Sequence, residues 1–111
     1  MTGDALSSRL QRFREDPGVR AALLVSADGF LVASAVDDTV DAEAVAAQIA
    51  AVLLVGRRLA DELGQAETRY VTFELTGLNV VVAPFEGDLL LVLVGGADTI
   101  TITYTLRERH A

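Results

Sequence analysis

Val19-Arg20-Ala21-Ala22-Leu23-Leu24-Val25-Ser26-Ala27-Asp28-Gly29-Phe30-Leu31-Val32-Ala33-Ser34 contains two short apolar runs, 21–26 and 30–36, separated by Ala27-Asp28-Gly29. Runs of this length and composition read as strands, and an Asp-Gly between them is a hairpin signal, because the reversal needs a positive φ that glycine takes without steric cost. The chain is therefore built around antiparallel pairing of neighbouring strands.

Upstream, residues 4–15 place Leu6, Leu10 and Phe13 at spacings of four and three, one stripe of an amphipathic helix that Pro17 and Gly18 terminate. Downstream, Asp37-Asp38-Thr39-Val40-Asp41 breaks the strand pattern, and Asp41 is placed to cap a long helix that runs to about Leu63 and stops at Gly64. Along this helix Val45, Ile49, Val52, Leu53, Gly56, Leu59, Ala60 and Leu63 form one wide apolar face, expected to be core. The opposite side carries Ala44, Ala47, Ala50, Ala51 and Leu54 in its first half, and Arg57, Arg58, Asp61 and Glu62 in its second. A solvated face ordinarily carries charge throughout, so the small apolar half predicts the close approach of another helix or a partner surface.

Residues 67–75 alternate, with Val71, Phe73 and Leu75 on one face and Thr68, Tyr70, Thr72 and Glu74 on the other, the pattern of a half-exposed strand. Thr76-Gly77 turns it into a strand over 78–85, where Pro84 marks a strand end or an edge. Glu86-Gly87-Asp88 is a second tight turn, leading into Leu89-Leu90-Leu91-Val92-Leu93-Val94, which is apolar on both faces and so reads as a central strand closed by Gly95-Gly96. In 97–111, Ile100, Ile102, Tyr104 and Leu106 alternate like a strand, whereas Asp98 at the start and Arg107, Arg109 and His110 at the end suit a helix dipole. Hairpins with helices between them make an α+β domain, not a doubly wound nucleotide fold.

A chain of 111 residues is long enough for one unstapled core. Its 51% hydrophobic content and mean hydropathy of +0.40 exceed what a monomer of this size needs, which points to surface buried against another subunit. No cysteine is present, so disulfides, thiolate metal sites and cysteine nucleophiles are excluded together. A net charge of -7 argues against nucleic acid or an anionic membrane as partner and favours a basic protein surface. The apolar runs 44–56 and 89–96 fall short of the roughly 20 residues that span a bilayer, and the N-terminus does not read as a signal peptide, so cytoplasmic residence is expected.

Catalytic constellations do not emerge. His110 is the single histidine and lies beside the C-terminus; Ser26, Ser34 and the threonines lack an activating base, and neither phosphate-binding glycine motif occurs. Asp37, Asp38, Asp41 and Glu43 do not follow the calcium-loop spacing and read as a loop with a helix cap. Arg57-Arg58 either docks an acidic groove on a partner or pairs with Asp61 and Glu62 at i, i+4. No enzyme activity, cofactor, metal or small-molecule substrate is expected.

The stretch from Val19 to Ser34 resembles the opening of Roadblock / dynein light chain domains: an apolar strand, an Asp-Gly turn and a strand ending in small residues. The alanine-rich helix ending Leu59-Ala60-Asp61-Glu62-Leu63-Gly64, then Tyr70-Val71-Thr72-Phe73-Glu74 and Leu89-Leu90-Leu91-Val92-Leu93, are similar to the family's central helix and later strands. The resemblance runs over about residues 4–106, and the domain is taken as 4–109.

It implies a profilin-like five-stranded antiparallel sheet in the order α-β-β-α-β-β-β-α, with the long helix on one face and the terminal helices on the other. Residues 97–109 would then be helical. It also implies a homodimer joined along the third strand, with central helices side by side. The dimer interface would comprise Arg69, Tyr70, Val71, Thr72, Phe73, Ala47, Ala51 and Leu54. The partner implied is a small Ras-like GTPase, of the kind regulated by bacterial gliding-motility members, and Ala44, Ala50, Arg57, Arg58 and Asp61 are the residues expected to meet it. The competing expectation is a small-molecule sensor of PAS-like or profilin-like architecture, which needs an apolar pocket with convergent polar groups.

Overall fold

A computed structural model describes residues 3–16, 18–64 and 71–96. Seven elements follow one another: α1 (Gly3–Arg14), β1 (Val19–Ser26), β2 (Leu31–Val36), α2 (Ala42–Glu62), β3 (Val71–Leu75), β4 (Leu78–Pro84) and β5 (Leu89–Gly95). The five strands form one antiparallel sheet in the order β2-β1-β5-β4-β3. The strand apolar on both faces, β5, is its centre, and β3 is an edge. Pro84 ends β4, an internal strand; it does not mark an edge. The expected third strand from residue 67 and the terminal element 97–109 fall partly or wholly outside the described residues, as do Arg69 and Tyr70.

Strand alternation sorts the sheet into two cores. On one face Ala22, Leu24, Ala33, Ala35, Val81, Ala83, Leu91 and Leu93 pack with Leu6, Leu10 and Phe13 of α1, the stripe expected from their spacing. On the other, Ala21, Leu23, Val25, Val82, Val92 and Val94 pack with Ala46 and Ile49 of α2. A strand whose neighbours lie on both sides and whose two faces meet helices has no solvent direction left, which is why β1 and β5 tolerate almost no polar residue between 21–25 and 91–94. The one buried polar side chain described, Asn79, donates from Nδ2 to the Gly96 carbonyl at 3.3 Å, and the Gly96 N–H donates to Gly18 at 2.9 Å, tying β4, β5 and the start of β1 together. Arg9 fastens α1 to the β4–β5 turn through an ion pair with Glu86 at 2.9 Å and a guanidinium 4.5 Å from the centre of the Phe85 ring.

The helix caps form as their residues dictate. The Asp41 carboxylate accepts the Ala44 N–H at 3.1 Å, and at the far end Gly64 takes φ +71 as its N–H donates to Asp61. Ahead of α2, Asp37 accepts from both the Thr39 N–H and its hydroxyl, while Arg20 of β1 reaches Thr39 Oγ1 at 3.2 Å and Asp37 Oδ2 at 3.5 Å. The four acidic residues of this stretch are thus a turn and a cap, with Asp37 and Asp41 engaged by backbone N–H groups.

Candidate functional site

The site is a surface: the outward side of α2, the open edge of β3 and the tip of the β1–β2 hairpin. The hairpin reversal is a four-residue turn in which the Gly29 N–H donates to the Ser26 carbonyl at 3.0 Å, the Ser26 hydroxyl accepts the Phe30 N–H at 3.1 Å, and the Ser26 N–H donates to the Phe30 carbonyl. Gly29 has φ +92, and a Cβ built there would lie 3.0 Å from that of Ala50. Glycine is required twice at this point, by the backbone conformation and by the approach of the turn to α2. As a consequence Ala50, expected on the partner-facing side, is half-buried under the turn. Phe30 projects from the turn and is 70% exposed.

The faces of α2 are not divided as the periodicity predicts. Leu59 and Leu63, expected in the core, are 58% and 66% exposed, and Val55, which the reading of the sequence placed on neither face, is 63% exposed. Val55 follows Ala46, and Leu59 follows Ala50, by nine residues, about two and a half turns at 3.6 residues per turn, so both lie diametrically across the helix from the side that meets the hairpin. The sheet covers a limited arc around Ala46, Ile49 and Ala60, and an apolar surface wider than that arc is left over. Leu54, at 48% exposed, and Ala44, Ala47 and Ala51 occupy the outward side as expected.

Arg57, Arg58, Asp61 and Glu62 are all exposed, and none of the i, i+4 ion pairs that the spacing allows is made among the described residues. Two guanidinium groups at the end of α2 are left to solvent. On β3, Val71 and Phe73 are half-buried, Thr72 and Glu74 are exposed, and Leu75 is 55% exposed. Among the described residues the strand pairs with β4 on one side and terminates the sheet on the other, presenting a row of backbone donors and acceptors. Of the residues singled out in the sequence, Val71, Thr72 and Phe73 lie on this edge strand, whereas Ala47, Ala51, Leu54, Arg57, Arg58 and Asp61 lie on α2.

The Roadblock/LC7 domain model matches residues 7–95, which include the hairpin, α2 and all five strands. The chain belongs to the Roadblock/LC7 family. That family is one of non-enzymatic regulatory domains, and the domain here is an α+β sheet of the same kind. Its backbone is similar to that of Myxococcus xanthus MglB, with a TM-score of 0.86 at 16% identity over 96% of this chain and 83% of that one. The gliding protein MglB of Thermus thermophilus gives 0.85 at 20% identity over 97% and 84%, and a Roadblock/LC7 domain from Streptomyces avermitilis gives 0.83 at 20% over 93% and 89%. Schizosaccharomyces pombe profilin follows at 0.60 and 17% identity over 96% and 94%, in keeping with a profilin-like sheet. At these identities the likeness establishes the fold. Among curated proteins no sequence match is found. Among the described residues no helix is long and apolar enough to cross a membrane.

Proposed function

We propose that this Roadblock domain is a homodimeric regulatory or scaffold module of the cytoplasm that binds a small Ras-like GTPase without contributing catalytic side chains. The observation that carries the reading is the apolar flank of α2 left open by its own sheet, together with an edge strand, β3, that has β4 as its one neighbour among the described residues. Two copies joined antiparallel along β3 would extend one sheet through both protomers and bring the two α2 helices side by side, covering both features by one two-fold operation. The remaining outward surface of the paired helices, with Ala44, Arg57, Arg58 and Asp61, then meets the GTPase. Its action is positioning: a surface that binds one arrangement of the switch segments better than another shifts their population by that difference in affinity.

The similarity to MglB proteins and to Myxococcus xanthus MglC supports a role in protein assemblies, and one MglB structure is described as a tetrameric arrangement. The test is a pull-down and GTP-hydrolysis assay with the small GTPase encoded nearest to this chain in its genome. Binding, with a changed hydrolysis or nucleotide-exchange rate, is the expected result. No binding and no rate change with any such GTPase overturns the reading, whatever the oligomeric state.

A further inference from the structure

At the other end of α2 from Arg57 and Arg58, a notch of about 320 Å³ opens between the β1–β2 turn and the first turn of the helix, lined by Gly29, Phe30, Leu31 and Glu43. We infer that this notch receives a basic side chain, an arginine above all, from a partner protein segment.

Three features of the lining specify that chemistry. The Phe30 ring, 70% exposed, offers an aromatic face, which attracts a cation and is otherwise costly to leave in water. Glu43 offers a carboxylate that has no ion-pair partner among the described residues. It is not the helix cap, since Asp41 accepts the Ala44 N–H, so its charge is free to meet a ligand. Gly29 and Leu31 give the notch apolar lining suited to the aliphatic stem of a long basic residue, whose head then reaches ring and carboxylate together.

The alternatives fit less well. An uncharged apolar side chain filling the notch would strip water from Glu43 without compensation, and an anion would be repelled by it. Arginine suits the site better than lysine because its planar guanidinium both stacks on a ring and bonds a carboxylate with two parallel donors. The surroundings draw cations, since Asp28 is exposed in the same turn. The net charge of -7 acts in the same direction at longer range. The notch is also preorganised. Hydrogen bonds between Ser26, Gly29 and Phe30 fix the turn, and the contact of Gly29 with Ala50 seats it on α2, so little conformational freedom remains to be lost on binding.

The experiment is a ¹⁵N-amide NMR titration of the intact protein with N-acetyl-argininamide, and in parallel with the uncharged isostere N-acetyl-citrullinamide. The expected result is saturable shift changes centred on residues 29–31 and 43, with a dissociation constant on the order of millimolar. The citrulline compound should bind at least about threefold more weakly, as should the arginine compound with either F30A or E43Q, and added salt should weaken the arginine complex. Phe30 and Glu43 are both exposed, so these variants keep the fold, and their undisturbed spectra check it. Equal binding of the citrulline compound, shifts spread evenly over the exposed carboxylates, or unchanged affinity in both variants would overturn the assignment. So would shifts at the same four amides on protein dilution alone, which would place a second copy of this chain in the notch. The outcome is independent of whether a GTPase binds.

Discussion

Leu59→Ala probes the surface on which the proposed dimer depends. In the protomer Leu59 is 58% exposed, so the substitution costs its own fold no more than about 0.5 kcal/mol. Full burial of a leucine side chain contributes roughly 1.5–3 kcal/mol, and the part still exposed here, less what alanine retains, leaves about 0.6–1.2 kcal/mol per copy to be gained on assembly. A two-fold interface counts the residue twice, giving about 1.2–2.4 kcal/mol, or a roughly 7- to 50-fold rise in the dimer dissociation constant. Sedimentation velocity over a dilution series reads this directly, with the unsubstituted protein expected at about twice the 11.8 kDa chain mass. Thermal unfolding monitored by circular dichroism serves as the control for the protomer. A dissociation constant within threefold of the parent, or a parent that is monomeric at micromolar concentration, would refute the reasoning about this flank.

Arginine at Ala47 or Ala51, both exposed on α2, should weaken self-association or partner binding, and unchanged mass together with unchanged partner affinity would remove those residues from any interface. Proline at Thr72 and at Phe73 gives a paired test of the β3 edge, because successive strand residues aim their N–H groups to opposite sides. The substitution facing β4 should unfold the protomer, while the one facing outward should leave it folded and monomeric, as circular dichroism and light scattering can distinguish. Gly29→Ala forces a side chain into φ +92 against the Ala50 Cβ, and a loss of at least about 1–2 kcal/mol should lower the melting temperature by about 5 °C or more. Asp37 should titrate below the usual carboxylate range, chiefly because the Thr39 hydroxyl and then the Thr39 N–H bond its charged form; these outweigh an opposing desolvation, and Arg20 adds a lesser lowering. A depressed pKa in the folded state means that the stabilisation is present above the unfolded value and is lost as pH falls through the folded one. Thr39→Val should therefore move the Asp37 midpoint upward in a carboxyl NMR titration; no movement would show that the turn does not depend on that hydroxyl.

Local chemistry was enough for much of this protein. Asp28-Gly29 announces a hairpin, Asp41 and Gly64 bracket α2, the spacing of Leu6, Leu10 and Phe13 marks the buried stripe of α1, and the unbroken run from Leu89 to Val94 identifies a strand covered on both sides. Each signal acts between residues a few positions apart, where backbone sterics, capping hydrogen bonds and side-chain periodicity operate. The edge position of β3 could be expected from its alternation, and the outward placement of Ala47, Ala51 and Leu54 from their angular positions on the helix.

Tertiary structure decided the rest. The pairing of β1 with β5 joins segments about 70 residues apart and depends on loop closure and on the combined burial of both cores, which no local pattern encodes. Apolar residues surround so much of α2 that periodicity alone could not choose which arc the sheet would cover. The contact of the Gly29 turn with Ala50 fixes one flank and leaves Val55, Leu59 and Leu63 in the open. The same long-range docking places Phe30 and Glu43 around one notch although they are 13 positions apart in the chain. Sequence specifies how each segment behaves by itself, but which surplus surface remains for a partner is settled only when the segments compete for the same core.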